Sequence, residues 1–277
     1  MKKLLDIEFY KIRHHKLSRT LFIAYFLLLT SIALIASIKF SIGHIKIHLA
    51  EQGIFNFPYI WHFNTYMADF FTFFLAIIVV SMVTNEFSYR TVKQNLIDGL
   101  SKKDFVRSKF NFLIALSLLA TFFVFIISLI LGYIYSDYTS PGIIFSEIYF
   151  LPAFFLKLLG IFSFIMFLGF LLKRSAFALA FMFVWMIVEG IIYGLLRWNF
   201  LNKKTADFII SFFPYNAIKN ILPEPFTRLS AVKQIGTQIG EHLEKFKGVP
   251  FQDFIIVILW IFTFYYFSYK ILKNRDL

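Results

Sequence analysis

The sequence predicts an all-α polytopic membrane protein: six transmembrane helices, an N-terminal interfacial helix, and a long external loop between helices 5 and 6. Three observations predict it. The 277 residues are 59% hydrophobic and only 16% charged, with a mean hydropathy of +0.72, whereas an ordinary soluble domain is about 25% charged. Such a chain cannot cover its apolar surface with its own polar groups. Six stretches reach the roughly 20 apolar residues that cross about 30 Å of hydrocarbon at 1.5 Å per residue. Finally, Lys and Arg gather in alternate connections, the pattern that sets membrane orientation.

The chain reads as one domain, 1–277, with no internal repeat. Residues 1–18 mix charge with a stripe of Leu5, Phe9 and Ile12 at i, i+4 and i+7. That spacing predicts an amphipathic helix lying in the inner headgroup region, and no cleavable leader is expected. The spans are expected at 20–38, 66–84, 110–135, 149–172, 175–197 and 252–271. Only Lys173 and Arg174 separate the fourth from the fifth, which predicts a tight helical hairpin. Lys and Arg number six in 1–19, six in 85–109, two in 173–174 and three in 270–277, but one in 40–65 and none in 136–148. Both termini and the 85–109 loop are therefore expected in the cytoplasm, with the chain in the inner (cytoplasmic) membrane. The segment 199–250 contains PYNAIKNILPEPF, whose prolines break helices, and then a mixed amphipathic stretch from Ser230 to Phe246; it is expected to form a partly helical external subdomain.

Composition excludes several functions. The chain has no Cys, so disulfides, thiolate metal sites and cysteine nucleophiles are ruled out. The net charge of +12 sits beside apolar runs rather than in one stripe, so it reads as a topology signal and not as a nucleic-acid surface. Forty Phe, fourteen Tyr and four Trp suit lipid-facing and interfacial positions. There is no P-loop, HExxH or GxSxG motif. His44, His48 and Glu51 share one helix face at metal-binding spacing, but a solvated polar face explains them better, and no metal site is predicted. His62 and His242 stand alone.

Within the spans, Asp69, Lys157 and Glu189 interrupt the apolar composition, and each must face protein or water rather than lipid. Lys157 and Glu189 lie at similar depths in consecutive antiparallel helices, so they are expected to pair. Gly190 and Gly194 form a small-xxx-small surface for close helix packing, either between two copies or within one subunit.

The most informative stretch is NEFSYRTVKQNLIDGLSKKDFVRSK, residues 85–109. Gly99 is placed to stop one helix, and Ser101 three residues before Asp104 forms a capping box that starts the next. The loop should therefore be a helix, a sharp turn and a helix, presenting Tyr89, Leu96, Leu100 and Phe105 among charges, which calls for a partner surface. Glu86, just inside the second span, is placed to pair with a basic residue of the loop or of a partner.

With Glu86, Thr91, Leu96, Ser101, Lys102 and Lys109 in that order, the loop resembles the first cytoplasmic loop of the membrane subunits of type 2 ATP-binding-cassette exporters. It departs at Gly99 and Leu100, where that family often has Pro. The resemblance extends, at the level of plan, to the N-terminal helix with Glu8 and Lys11, the six spans, the long last external loop and the ending YKILKNRDL. It implies that 86–103 is a coupling helix seated on an ATPase, with Glu86, Tyr89, Thr91, Lys93, Leu96, Ser101, Lys102 and Phe105 as its residues. It further implies a permease subunit without catalytic residues. Its expected partners are a P-loop ATPase subunit that carries ATP and Mg, a second permease copy or a similar chain, and the lipid bilayer. Aromatic, mostly uncharged spans favour an amphipathic or lipid-like substrate or a hydrophobic peptide. The rival readings are an intramembrane lipid-modifying enzyme, which would need an acidic or His cluster at one membrane face, and a non-enzymatic anchor or assembly factor.

Overall fold

The computed structural model of the chain describes residues 2–37, 40–42, 45–47, 53–200, 202–229, 232 and 248–275 and, within them, the side chains outside 2–3, 32–47 and 199–200. The expected helical architecture is present. In chain order the helices are α1 (Lys2–His14), α2 (Lys16–Ser37), α3 (Tyr59–Phe70), α4 (Thr72–Ser88), α5 (Thr91–Ile97), α6 (Lys102–Tyr135), α7 (Pro141–Ile144), α8 (Phe150–Leu172), α9 (Ser175–Leu195), α10 (Lys203–Ile210), α11 (Pro214–Asn220) and α12 (Phe251–Lys273). One antiparallel ribbon, β1 (Phe40–Ile42) with β2 (Ile45–Ile47), pairs Ser41 with Lys46. The trio His44, His48 and Glu51 and most of 230–246 lie outside the described residues. Among the described residues no cluster of three or more His, Asp or Glu is placed to hold a metal.

Among the described residues, α6, α8, α9 (continued to Trp198) and α12 are each long and apolar enough to cross a membrane, and the bent pair α3–α4 makes a fifth candidate. The expected first span falls on α2, whose last side chains are not described.

The expected second span, 66–84, falls on a broken helix that begins earlier, at Tyr59, and turns by 49° at Phe71. The Phe71 amide bonds back three residues to Ala68 (3.2 Å) and the Phe74 amide to Phe71 (3.0 Å). Such tight turns break the α-helical ladder and account for the bend. In contrast α6 is continuous. Its 34 residues reach roughly 51 Å at 1.5 Å per residue, so it outruns the hydrocarbon and carries the 102–109 end of the loop as part of a rigid rod.

The core is built around α8, two thirds of whose apolar window is buried, against 6% for α9. It contacts α3, α4, α6, α9, α11 and α12. The segment after α9 is partly helical, as expected, and α11 packs on α8, α9 and α12, with Ile218 against Gly160. The stripe Leu5, Phe9 and Ile12 turns to the protein rather than to headgroups, with the Phe9 ring 5.2 Å from Phe112 of α6.

At the far end of α6, Gly132 lets the Phe57 ring lie against the helix backbone; a Cβ there would stand 2.2 Å from Phe57 Cζ. Gly132→Ala will therefore destabilise the purified chain by about 1–3 kcal/mol, as overpacking does. Gly142→Ala, where nothing lies within 4 Å of an added Cβ, will leave the thermal midpoint unchanged. Equal midpoints for the two variants would contradict this packing.

Candidate functional site

The 85–109 loop folds as its residue types dictate. Arg90 takes the left-handed conformation (φ 58°) between α4 and α5, and α5 ends at Gly99, whose φ of 95° suits a residue without a Cβ. The Leu100 amide donates to the Asn95 carbonyl (3.0 Å) and the Gly99 amide to that of Leu96 (3.2 Å), the two bonds of a Schellman stop. Ser101 Oγ then accepts from the Asp104 amide at 3.0 Å, so the predicted cap starts α6. Val92 is buried and anchors the short helix to the body.

Beneath this loop four ionic side chains from three helices meet. Lys109 Nζ of α6 donates to Glu8 Oε1 of α1 at 2.8 Å and to Glu86 Oε1 of α4 at 2.6 Å. Lys11 Nζ of α1 reaches the same two oxygens, at 3.5 Å and 2.5 Å. Glu86 Oε2 accepts from Thr91 Oγ1 (2.7 Å) and Asn95 Nδ2 (3.4 Å), both on α5. The Lys109, Glu8 and Glu86 side chains are 1%, 5% and 4% exposed, and Lys11 is 41% exposed. Two anions and two cations therefore form a neutral cluster at the junction of α1, α4, α5 and α6. Burial acts to lower the Lys11 pKa, but Glu8 and Glu86 outweigh it and hold it above 10.5. A raised cation pKa makes its contribution to stability complete at neutral pH and lost only as pH climbs through the raised value.

The expected pairing of Glu86 with a basic residue of the loop is thus realised through Lys109, and Thr91 serves the same carboxylate. Lys102 donates instead to the carbonyls of Lys273 (3.2 Å) and Arg275 (2.7 Å), tying the loop to the end of α12. Tyr89 and Lys93 are exposed, and Leu96 is half-buried. Phe105 requires a correction: it is 2% exposed, 6.3 Å from the Phe170 ring, with Lys109 Nζ 5.2 Å above it. It occupies the buried face of α6 that continues through Lys109, Phe112 and Leu116, and so is core rather than contact surface. The outward apolar residues are Tyr89 and Ile97, 72% and 70% exposed.

The expected Lys157–Glu189 pair is also corrected. Lys157 Nζ bonds Asp69 Oδ2 at 2.8 Å and the Lys219 carbonyl at 3.1 Å, at the break between α3 and α4. Glu189 accepts from Trp185 Nε1 (2.6 Å), the amides of Tyr215 (2.9 Å) and Asn216 (2.8 Å), and Asn216 Nδ2 (2.7 Å). Equal depth did not bring the two together because they leave their helices toward different neighbours: Glu189 caps the first turn of α11, whereas Lys157 reaches the broken span. Gly190 and Gly194 have nothing within 4 Å of a would-be Cβ, which removes packing within the subunit as their role.

Sequence reasoning missed a second polar junction. Arg228 grips Glu147 through two bonds of 2.8 Å and 2.7 Å and reaches His62 Nδ1 at 3.1 Å. His62 Nε2 donates to the Pro223 carbonyl (2.9 Å), and its ring stacks on Phe150 at 4.0 Å. Partners separated by 81 and 166 residues leave no spacing signal.

Apolar helices packed round one buried helix, several of them long enough to cross a bilayer, are the build of a multi-pass membrane protein. The family described as ABC-2 family transporter protein matches residues 4–189, and the chain belongs to that family. It is a multi-pass membrane protein, the permease of an ABC transporter, in a family that works with an ABC ATPase subunit. No curated protein matches the chain.

Removing one member of a buried ionic cluster leaves an uncompensated charge and costs about 3–5 kcal/mol. Lys109→Met is therefore expected to lower the thermal midpoint of the purified chain far more than Lys11→Met, whose ammonium is partly solvated. Comparable losses from the two variants would show that the cluster is not buried as described.

Proposed function

We propose that this chain is the permease of an ABC exporter, coupled to its ATPase through α5, and that it moves an amphipathic substrate out of the cell. The observation that carries the proposal is the neutral cluster Glu8, Lys11, Glu86 and Lys109 under α5. A helix of seven residues has little stability of its own, yet here it is fixed through Thr91 and Asn95 to a carboxylate held by two other helices. A push on α5 is then delivered to α1, α4 and α6 together. Tyr89 and Ile97 supply the apolar surface that a groove on an ATPase would cover.

In this reading the chain contributes no nucleotide site, and ATP with Mg binds the ATPase subunits. Six spans place both termini and α5 in the cytoplasm and 199–250 outside, in the cytoplasmic membrane. The almost fully exposed apolar surface of α9, with Gly190 and Gly194 on it, meets a second copy of the chain; close backbone approach is what two such glycines permit.

Co-expression with a cassette ATPase tests the coupling. Tyr89→Asp combined with Ile97→Asp should leave the permease in the membrane and the ATPase no longer co-purifying with it. Normal co-purification and transport in that double variant would remove α5 as the coupling element. For orientation, reporters fused at Leu277 and inserted near Thr237 should report opposite sides of the membrane, and the same side for both would end the six-span arrangement.

A further inference from the structure

A cavity of about 780 Å³ opens beside the break between α3 and α4, bounded by α8, α9 and the end of α11. Its size falls within the roughly 300–1,000 Å³ of sites that hold drug-sized molecules. Phe70, Phe73 and Phe183 line it and are 63%, 42% and 44% exposed, with the Phe73 and Phe183 rings 6.0 Å apart across α4 and α9. These exposed rings mark a rim on the lipid-facing side of the bundle, through which an apolar molecule can enter.

The polar wall is asymmetric. Lys157 lines the cavity, but its ammonium is 6% exposed and already donates to Asp69 Oδ2 and the Lys219 carbonyl. Lys219, at the exposed end of α11, and Glu224 also line the cavity, and both Glu224 oxygens already accept from Thr227 Oγ1 and from the Phe226 and Thr227 amides. Asp69 is 22% exposed, and its second oxygen has only a 3.4 Å contact from Thr72 Oγ1. Acceptor capacity therefore remains in the cavity while the buried donor is spent. Tyr66, Phe70 and Phe73 line the same cavity as Asp69, and aromatic faces attract cations. A carboxylate kept within a membrane span, facing a cavity instead of lipid, points to a ligand.

We infer that this cavity binds an amphipathic organic cation, its charge on Asp69 and its apolar body along the aromatic rim. The inference rests on the permease reading in that it names the substrate class, and it locates recognition inside one subunit, at the broken span. The Asp69–Lys157 pair serves as the preset partner: it holds the carboxylate in place before the cation arrives.

Binding of rhodamine 6G, a lipophilic cation, to the full-length chain in phosphatidylcholine nanodiscs tests this by fluorescence polarisation. Saturable binding is expected, at least tenfold tighter than for an uncharged dye of similar size. Asp69→Asn alone strands a buried ammonium, so the carboxylate is removed together with it in Asp69→Asn/Lys157→Met, which should retain the parent melting curve and bind the dye at least tenfold more weakly. Met182→Trp, which fills the cavity and leaves the ion pair intact, should weaken binding as much. Unchanged binding in either variant, or equal binding of the uncharged dye, overturns the proposal. Equilibrium binding needs no ATPase, so such a failure leaves the ATPase-coupled permease standing, and a failed co-purification leaves the dye result standing.

Discussion

Three buried charges and a fourth at their edge, Lys11, meet in one small volume and constrain everything at the α5 end of this molecule. A carboxylate or ammonium taken out of water is stable only when oppositely charged partners and hydrogen bonds surround it. Lys109 lies on the buried face of α6 and cannot escape to solvent, so Glu86 must come from α4 and Glu8 from α1 to meet it. That requirement fixes α1 against the bundle by its acidic as well as its apolar face. The same requirement sets the height at which α4 ends, and hence where Tyr89 and Arg90 must turn.

The two helices that leave the cluster differ in stiffness. From Lys102 to Tyr135, α6 is unbroken; its far end is pinned where Ser136 Oγ accepts from the Phe57 amide and Asn56 Nδ2 donates to Asp137. By contrast α4 reaches back only to the bend at Phe71. A displacement entering at α5 therefore passes along α6 as a rigid translation, while the α3–α4 pair can absorb it as a change of angle at the bend.

Legibility in the sequence followed the range of the interaction. Local signals were readable: the Ser101 cap, the Gly99 stop, the Lys173–Arg174 hairpin, and unbroken helices over five of the six expected spans. The helix–turn–helix shape of the loop was readable because its stop and its cap lie within 25 consecutive residues. Facing was not readable. Phe105 looks like a surface aromatic amid charges, and only the continuation of its helical face through Lys109 and Phe112 into the core shows that it is buried. Likewise depth alone joined Lys157 to Glu189, because the sequence carries no sign that α11 folds back into the bundle and offers its amides to Glu189. The break at Phe71 also left no mark, since neither proline nor glycine stands there to announce it.

The two ionic sites are chemically different, and α4 connects them. The cluster at Glu86 is neutral, and Lys109, Glu8 and Glu86 are each at most 5% exposed, so three of its four ions are held almost wholly by protein groups. The pair at Asp69 keeps one carboxylate oxygen toward a cavity. Seventeen residues separate Asp69 from Glu86 in the sequence, roughly 25 Å at 1.5 Å per residue, and between them lies the bend. A buried site that ties three helices together at one end of α4 suits the delivery of force, because it transmits motion to all three. An open pair beside the bend suits recognition, because any change of angle at Phe71 moves Asp69 relative to Lys157 on α8. On the proposed reading, the bend is therefore the point at which work done on α5 alters the grip on the substrate.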